Sequence, residues 1–225
     1  MKHAIFALAT MLIPIILPTA IQTSGMNRTD VADYFKTQIH THATREVHIE
    51  RVLAIEGGYQ NCKHDKANAG VGTKYGITPA TFKKYIGYKP NVRQMKALSK
   101  KEAAKIYVQI WEDIGMDNLP DGVAGDVFDA YVNMPQTTLQ IIEKITGRKG
   151  CSDFFMIDEA TASDIRKMSS EVFKGRLKEA RKQYYRFRAG RYDKSEWHKY
   201  FHRLGKTGSS GNTRYLNGWL SRLES

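Results

Sequence analysis

The chain has 225 residues, enough for one well-buried domain with a modest appendage and too few for three independent units. Its 41% hydrophobic and 11% aromatic content excludes a collagen-like, low-complexity or wholly disordered polypeptide. The formal charge of +12 is concentrated late in the chain, 16 Lys/Arg against 6 Asp/Glu from Asp164 to Ser225, and points to anionic partners such as a bacterial wall surface or nucleic acid.

After a basic start at Lys2, the stretch from Ala4 to Ile21 carries no charge, which predicts a hydrophobic N-terminal helix interrupted by Pro14 and Pro18. Residues 1–25 read as a secretory signal or a retained signal anchor in the inner membrane, and either implies export to the periplasm. Export argues against a nucleic-acid partner. Residues 26–44 read as a linker, residues 45–136 as the main helical domain and residues 137–225 as a helical extension packed on it. The expected class is all-α.

From Thr44 the positions Ile49, Val52, Leu53 and Glu56 follow the spacing of one helical face, and Gly57 and Gly58 end that helix. Gln60 to Gly76 has no sustained period and reads as a loop, after which Thr78 and Pro79 open a second helix. A lysine-rich connector leads to Ser99, which stands at capping-box spacing from Glu102, with Ala103, Tyr107, Ile110 and Trp111 on one face of the helix it opens. Further core helices are expected over Val123 to Asn133 and Leu139 to Ile145. A long basic one runs from Ser169 to Arg188 with Val172, Phe173, Leu177, Ala180 and Tyr184 inward. A Gly/Ser-rich loop from Gly205 to Asn212 precedes a last helix through Tyr215, Leu216, Trp219, Leu220 and Leu223.

Two cysteines, Cys62 and Cys151, form no CxxC pattern, and no His stands at zinc-finger spacing, so no metal or other cofactor is expected. Whether the two thiols pair is left open. The carboxylate that stands out is Glu56, on an apolar face. Two readings stand level: a desolvated proton donor, or a partner of some Lys or Arg that braces the domain. Asp65 lies in a polar loop where a carboxylate stays ionised, so the pair has the two unlike environments that glycosidic cleavage uses; Thr73, beyond it, is a candidate to hold a water. Tyr59, Tyr75, Trp111 and Asn133 are candidates to line a sugar cleft, since aromatic faces stack on pyranose rings and amides bond N-acetyl groups. His64 beside Asp65 reads as a solvated loop residue.

The run IEGGY from Ile55 to Tyr59, followed by Asp65 and by GTKYGIT from Gly72 to Thr78, resembles the N-terminal signature of glycoside hydrolase family 108, the EGGY muramidases of phage endolysin type. The runs from Glu102 to Trp111, Gly125 to Asn133 and Tyr215 to Leu223 extend the resemblance over most of the chain after residue 45. It implies a lysozyme-like α-helical fold, Glu56 as catalytic acid, and a monomeric lysozyme cutting the β-1,4 bond between N-acetylmuramic acid and N-acetylglucosamine in peptidoglycan, for host lysis. The Glu, Asp and Thr set is similar to that of phage lysozymes, with a longer gap before Thr73. Residues 137–225 resemble a small peptidoglycan-binding extension whose repeat core is reduced to Asp158 through Thr161. The alternatives are a lytic transglycosylase using the same glutamate and a non-catalytic basic module that binds wall polymer or nucleic acid.

Overall fold

The computed structural model describes residues 44–61 and 70–224; the hydrophobic stretch, most of the linker and the loop with Cys62, His64 and Asp65 lie outside the described residues. Among the described residues the regular structure is helical, with two isolated antiparallel bridges, Gln60 with Thr73 and Lys74 with Ile77, as the all-α expectation requires. Helix α1 runs through residues 44–56. It is followed by α2 (Pro79–Ile86), α3 (Val92–Ala97), α4 (Lys100–Asp113), α5 (Asp121–Asn133), α6 (Pro135–Thr146), α7 (Cys151–Phe154), α8 (Glu159–Arg166), α9 (Ser170–Arg188), α10 (Glu196–Arg203) and α11 (Thr213–Ser221). No described helix is long and apolar enough to cross a membrane.

Local chemistry starts the helices where the sequence marks them. Thr78 accepts a hydrogen bond from the Thr81 amide while Pro79 presets the first turn of α2. Ser99 and Glu102 close a reciprocal capping box on α4. The lysine-rich connector holds α3, which the composition conceals; Asn91 and Gln94 cap it reciprocally. Asp158 accepts from the Thr161 amide at 2.7 Å, so the residues read as a degraded repeat core serve as the N-cap of α8.

Packing then fixes the frame. Ile49, Val52 and Leu53 of α1 are buried, and His48 sits against Gly125 where α1 meets α5. Phe128 of α5 meets Tyr107 edge-on at 5.9 Å and Trp111 at 4.9 Å. Burying each such ring contributes about 1.5–3 kcal/mol. Helix α9 packs against α5, α6, α10 and α11. Its Phe173, Leu177, Ala180 and Tyr184 face inward as the period predicts, but Val172 is exposed, because one position before Phe173 it lies off the face those residues share. Cys151 is a buried free thiol that donates to the Leu139 carbonyl at 3.3 Å.

Candidate active site

Glu56 is the last residue of α1, where Gly57, at φ +68°, turns the chain out of the helix. The chain returns over it. Gln60 and Thr73 exchange two backbone hydrogen bonds of 2.8 and 2.7 Å, and Lys74 and Ile77 bracket a turn in which Tyr75 and Gly76 both have positive φ, 52° and 73°. Two positive φ values are what a type I′ hairpin turn demands, and a tyrosine in the first of them costs about 1–2 kcal/mol. Two hydrogen bonds hold it there: the Tyr75 amide donates to the Gly57 carbonyl at 3.1 Å, and the Tyr107 hydroxyl donates to the Tyr75 carbonyl at 2.8 Å. Gly76 fits because it has no side chain. A Cβ at that position would lie 2.4 Å from the Tyr107 hydroxyl and 2.9 Å from Glu56 Cγ.

On its other side Glu56 meets a charged network drawn from distant parts of the chain. Arg222, just after α11, donates from Nη1 to Glu56 Oε1 at 2.7 Å. The same guanidinium grips Asp129 Oδ1 of α5 through Nε at 3.0 Å and Nη2 at 2.8 Å. Asp129 Oδ2 in turn accepts from Arg181 of α9 at 2.6 Å. Burial pushes the Asp129 carboxyl up, yet Arg222 and Arg181 more than offset that and hold it below the usual carboxylate range. The Arg222 guanidinium is likewise opposed by burial but raised by Asp129 and Glu56. Burial, reinforced by the Glu56 charge, pushes the Tyr107 phenol well above its ordinary value and keeps it a neutral donor. Glu56 retains 20% of its side-chain surface, enough to be reached from outside.

Gly76 and Tyr107 also form one wall of a depression of about 310 Å³, whose remaining lining includes Thr81, Lys84, Tyr85, Tyr131 and Pro135. Lys84 Nζ and the Tyr85 hydroxyl both donate to Asp113 Oδ2, at 2.8 and 2.9 Å, which fixes the Tyr85 ring at the rim. The depression therefore presents phenols and an ammonium beside a carboxylate, a surface suited to a sugar.

The sequence candidates divide. Glu56, Thr73 and Tyr75 meet around the hairpin turn, and Thr73 Oγ1 is buried without a hydrogen-bond partner among the described residues. The ion pair of the bracing reading of Glu56 is present, in Arg222. Asp65 lies outside the described residues. Tyr59 braces the hairpin, its hydroxyl donating to the Val71 carbonyl at 2.8 Å and its ring lying against Gly72. Trp111 must be corrected: it is buried to 2% exposure, bonded through Nε1 to Asp117 and stacked on His48, because its helical face is the one α4 turns to the core. Asn133 closes α5 half-buried, next to Val132, which does line the depression. Sequence reading missed Arg222, Asp129, Arg181, Tyr85 and Tyr131. Asp129, Tyr131 and Arg222 do lie inside the runs Gly125–Asn133 and Tyr215–Leu223 that carry the family resemblance, and Arg181 stands among apolar residues beside Ala180 and Tyr184, but neither signal assigns them to the site.

Residues 49–134 match the family described as Glycosyl hydrolase 108, a span that holds Glu56, Gly76, Tyr107 and Asp129 and stops short of Arg181 and Arg222. The chain is also similar to a solved structure, that of Brucella abortus SagA, at 25% identity and a TM-score of 0.58; the match covers 81% of this chain and 94% of that one. No curated protein matches. Among the described residues no group of three or more His, Cys, Asp or Glu is placed to hold a metal ion.

Proposed function

We propose, from the match of residues 49–134 to the Glycosyl hydrolase 108 family, that the chain is a peptidoglycan-cleaving glycosidase that hydrolyses the β-1,4 bond between N-acetylmuramic acid and N-acetylglucosamine with Glu56 as general acid. The observation that carries this reading is the position of Glu56: at a helix end, partly open to solvent, beside a depression walled by Gly76, Tyr107, Tyr85 and Tyr131. Its Oε1 is taken by Arg222, while Oε2 accepts no hydrogen bond among the described residues.

In this mechanism Glu56 delivers a proton to the departing sugar oxygen as positive charge builds on the anomeric carbon. Thr73 suits the water-holding role, because a buried hydroxyl with no partner among the described residues has a hydrogen bond to give. Asp65 is the proposed second carboxylate, stabilising the oxocarbenium-like centre or activating that water. The apolar stretch 4–21 is proposed to deliver the chain to the periplasm, where it acts as a monomer in host lysis.

Turbidity loss of purified peptidoglycan, compared for the wild type and Glu56→Gln with fragment masses, tests the proposal. Reducing muramic ends that vanish in the variant are expected. Equal clearing by both proteins overturns the role of Glu56, and 1,6-anhydro ends replace hydrolysis with transglycosylation.

A further inference from the structure

We propose that Arg222, from the last turn of the chain and outside the family-matched span, is a positioning residue for Glu56, with Asp129 as the charge that makes its use there compatible with proton donation. The inference rests on Glu56 being the acid. It makes the C-terminal helix part of the active site.

The anchoring of Arg222 is firm. Leu216 of α11 is buried, Trp219 lies 5.6 Å from Tyr185 of α9, and Lys178 pairs with Glu224 at 3.0 Å beside the same strand of contacts. The guanidinium they present is 10% exposed, so its geometry is set by packing rather than by chance side-chain excursions. It binds Oε1 of Glu56 and leaves Oε2 on the side of Gly76 and Tyr107.

An arginine alone against a catalytic acid would favour the carboxylate and oppose its protonation. Here Arg222 makes two contacts to Asp129 and one to Glu56, and Asp129 is shared with Arg181. When all four groups are ionised the cluster is neutral. Among the described residues the groups facing Glu56 are Arg222 after α11, the neutral Tyr107 phenol of α4, and, behind Arg222, Asp129 of α5 and Arg181 of α9. Removing Arg222 takes away a cation that favours the Glu56 carboxylate. Neutralising Asp129 strengthens the hold of that cation. The two changes thus push proton donation in opposite directions.

The test uses the full-length chain on soluble glycan strands from about pH 4 to 9, with Arg222→Ala, Arg222→Lys, Asp129→Asn and Glu56→Gln, each checked for fold by circular dichroism and thermal melting. Arg222→Ala is expected to lower kcat about 10–100-fold, the cost of a carboxyl misplaced by about 1 Å, with KM changed far less, and Arg222→Lys to recover part of it. The alkaline limb of the pH profile is expected to move up in Arg222→Ala and down in Asp129→Asn. A purely structural arginine would lower stability and activity together without moving the limb. If Arg222→Ala does not fold, the opposed shift is read from the equally uncharged Arg222→Gln and from Asp129→Asn. Limbs that stay put or move the same way in folded variants, or a folded Arg222→Ala with wild-type kcat, overturn the proposal while Glu56→Gln remains inactive. Activity surviving in Glu56→Gln instead overturns the reading beneath it.

Discussion

Gly76→Ala isolates the close approach on which the site depends. The added Cβ would meet the Tyr107 hydroxyl at 2.4 Å, where ordinary contact begins near 3.4 Å, so something must move by about 1 Å. The candidates are the Tyr107 ring, which would forfeit its bond to the Tyr75 carbonyl, and the Glu56 stem at 2.9 Å. Alanine at φ +73° costs about 1–2 kcal/mol and the lost hydrogen bond about 0.5–1.5 kcal/mol, together about 2–3 kcal/mol. For a domain of this size that is a fall in Tm of about 5–10 °C. Displacing the acid by about 1 Å reduces kcat up to about 100-fold.

Gly87→Ala is the matched control. Its φ is +95°, but nothing lies within 4 Å of the added Cβ, so only the backbone strain of about 1–2 kcal/mol applies and kcat stays within about 2-fold of the wild type. Differential scanning calorimetry and peptidoglycan turbidity on both variants separate strain from intrusion. If Gly76→Ala matches Gly87→Ala in both melting and rate, the hairpin turn does not position Glu56 and the geometric reasoning fails.

Asp129, whose folded carboxyl sits below its ordinary value, contributes stability that is complete above an unfolded value of about 3.9 and is lost as pH falls through the lower folded value. Acid titration followed by circular dichroism should therefore show a steep loss below about pH 4 that is shallower in Asp129→Asn, and parallel curves would contradict it. The Cys151 thiol is pushed up to about 12, first by burial and then by the Glu143 carboxylate, so iodoacetamide should label it in the unfolded chain and spare it in the native one; rapid native labelling at Cys151 would count against its burial. Trp111→Phe should lower Tm by removing the bond to Asp117 and opening a small cavity worth about 1–3 kcal/mol, with KM unchanged; a raised KM at unaltered Tm would return Trp111 to the cleft.

The parts of this molecule that the sequence announces are those decided within a few residues. The capping box at Ser99 and Glu102, the helical face ending in Glu56, and the span of α9 all follow from contacts three or four positions apart. The same rule explains the errors. Trp111 shares its face with Tyr107 and Ile110, and periodicity alone cannot say that this face is the core while the cleft opens beyond Tyr107. Helix α3 is hidden because Arg93 and Lys96 flank its one buried residue, Met95. Arg222 pairs with residues 93 and 166 positions away, and no local pattern encodes such a meeting.

The long-range meeting also changes how the charge of the chain is understood. Read as composition, the excess of Lys and Arg after Asp164 is a surface seeking anions, yet Arg181 and Arg222 are turned inward and spent on Asp129 and Glu56. Lys174, Lys178 and Lys199 are also tied to carboxylates, of Asp126, Glu224 and Glu196. Exposed pairs of that kind contribute little, about 0–1 kcal/mol each, whereas truncating one member of a buried network leaves a charge stranded at several times that cost. The basic C-terminal half is thus coupled to the carboxylate of α1 through Arg222, with Arg181 behind it on Asp129. A chain cut before α11 would keep every residue of the family-matched span and still lose the guanidinium that holds Glu56 in place.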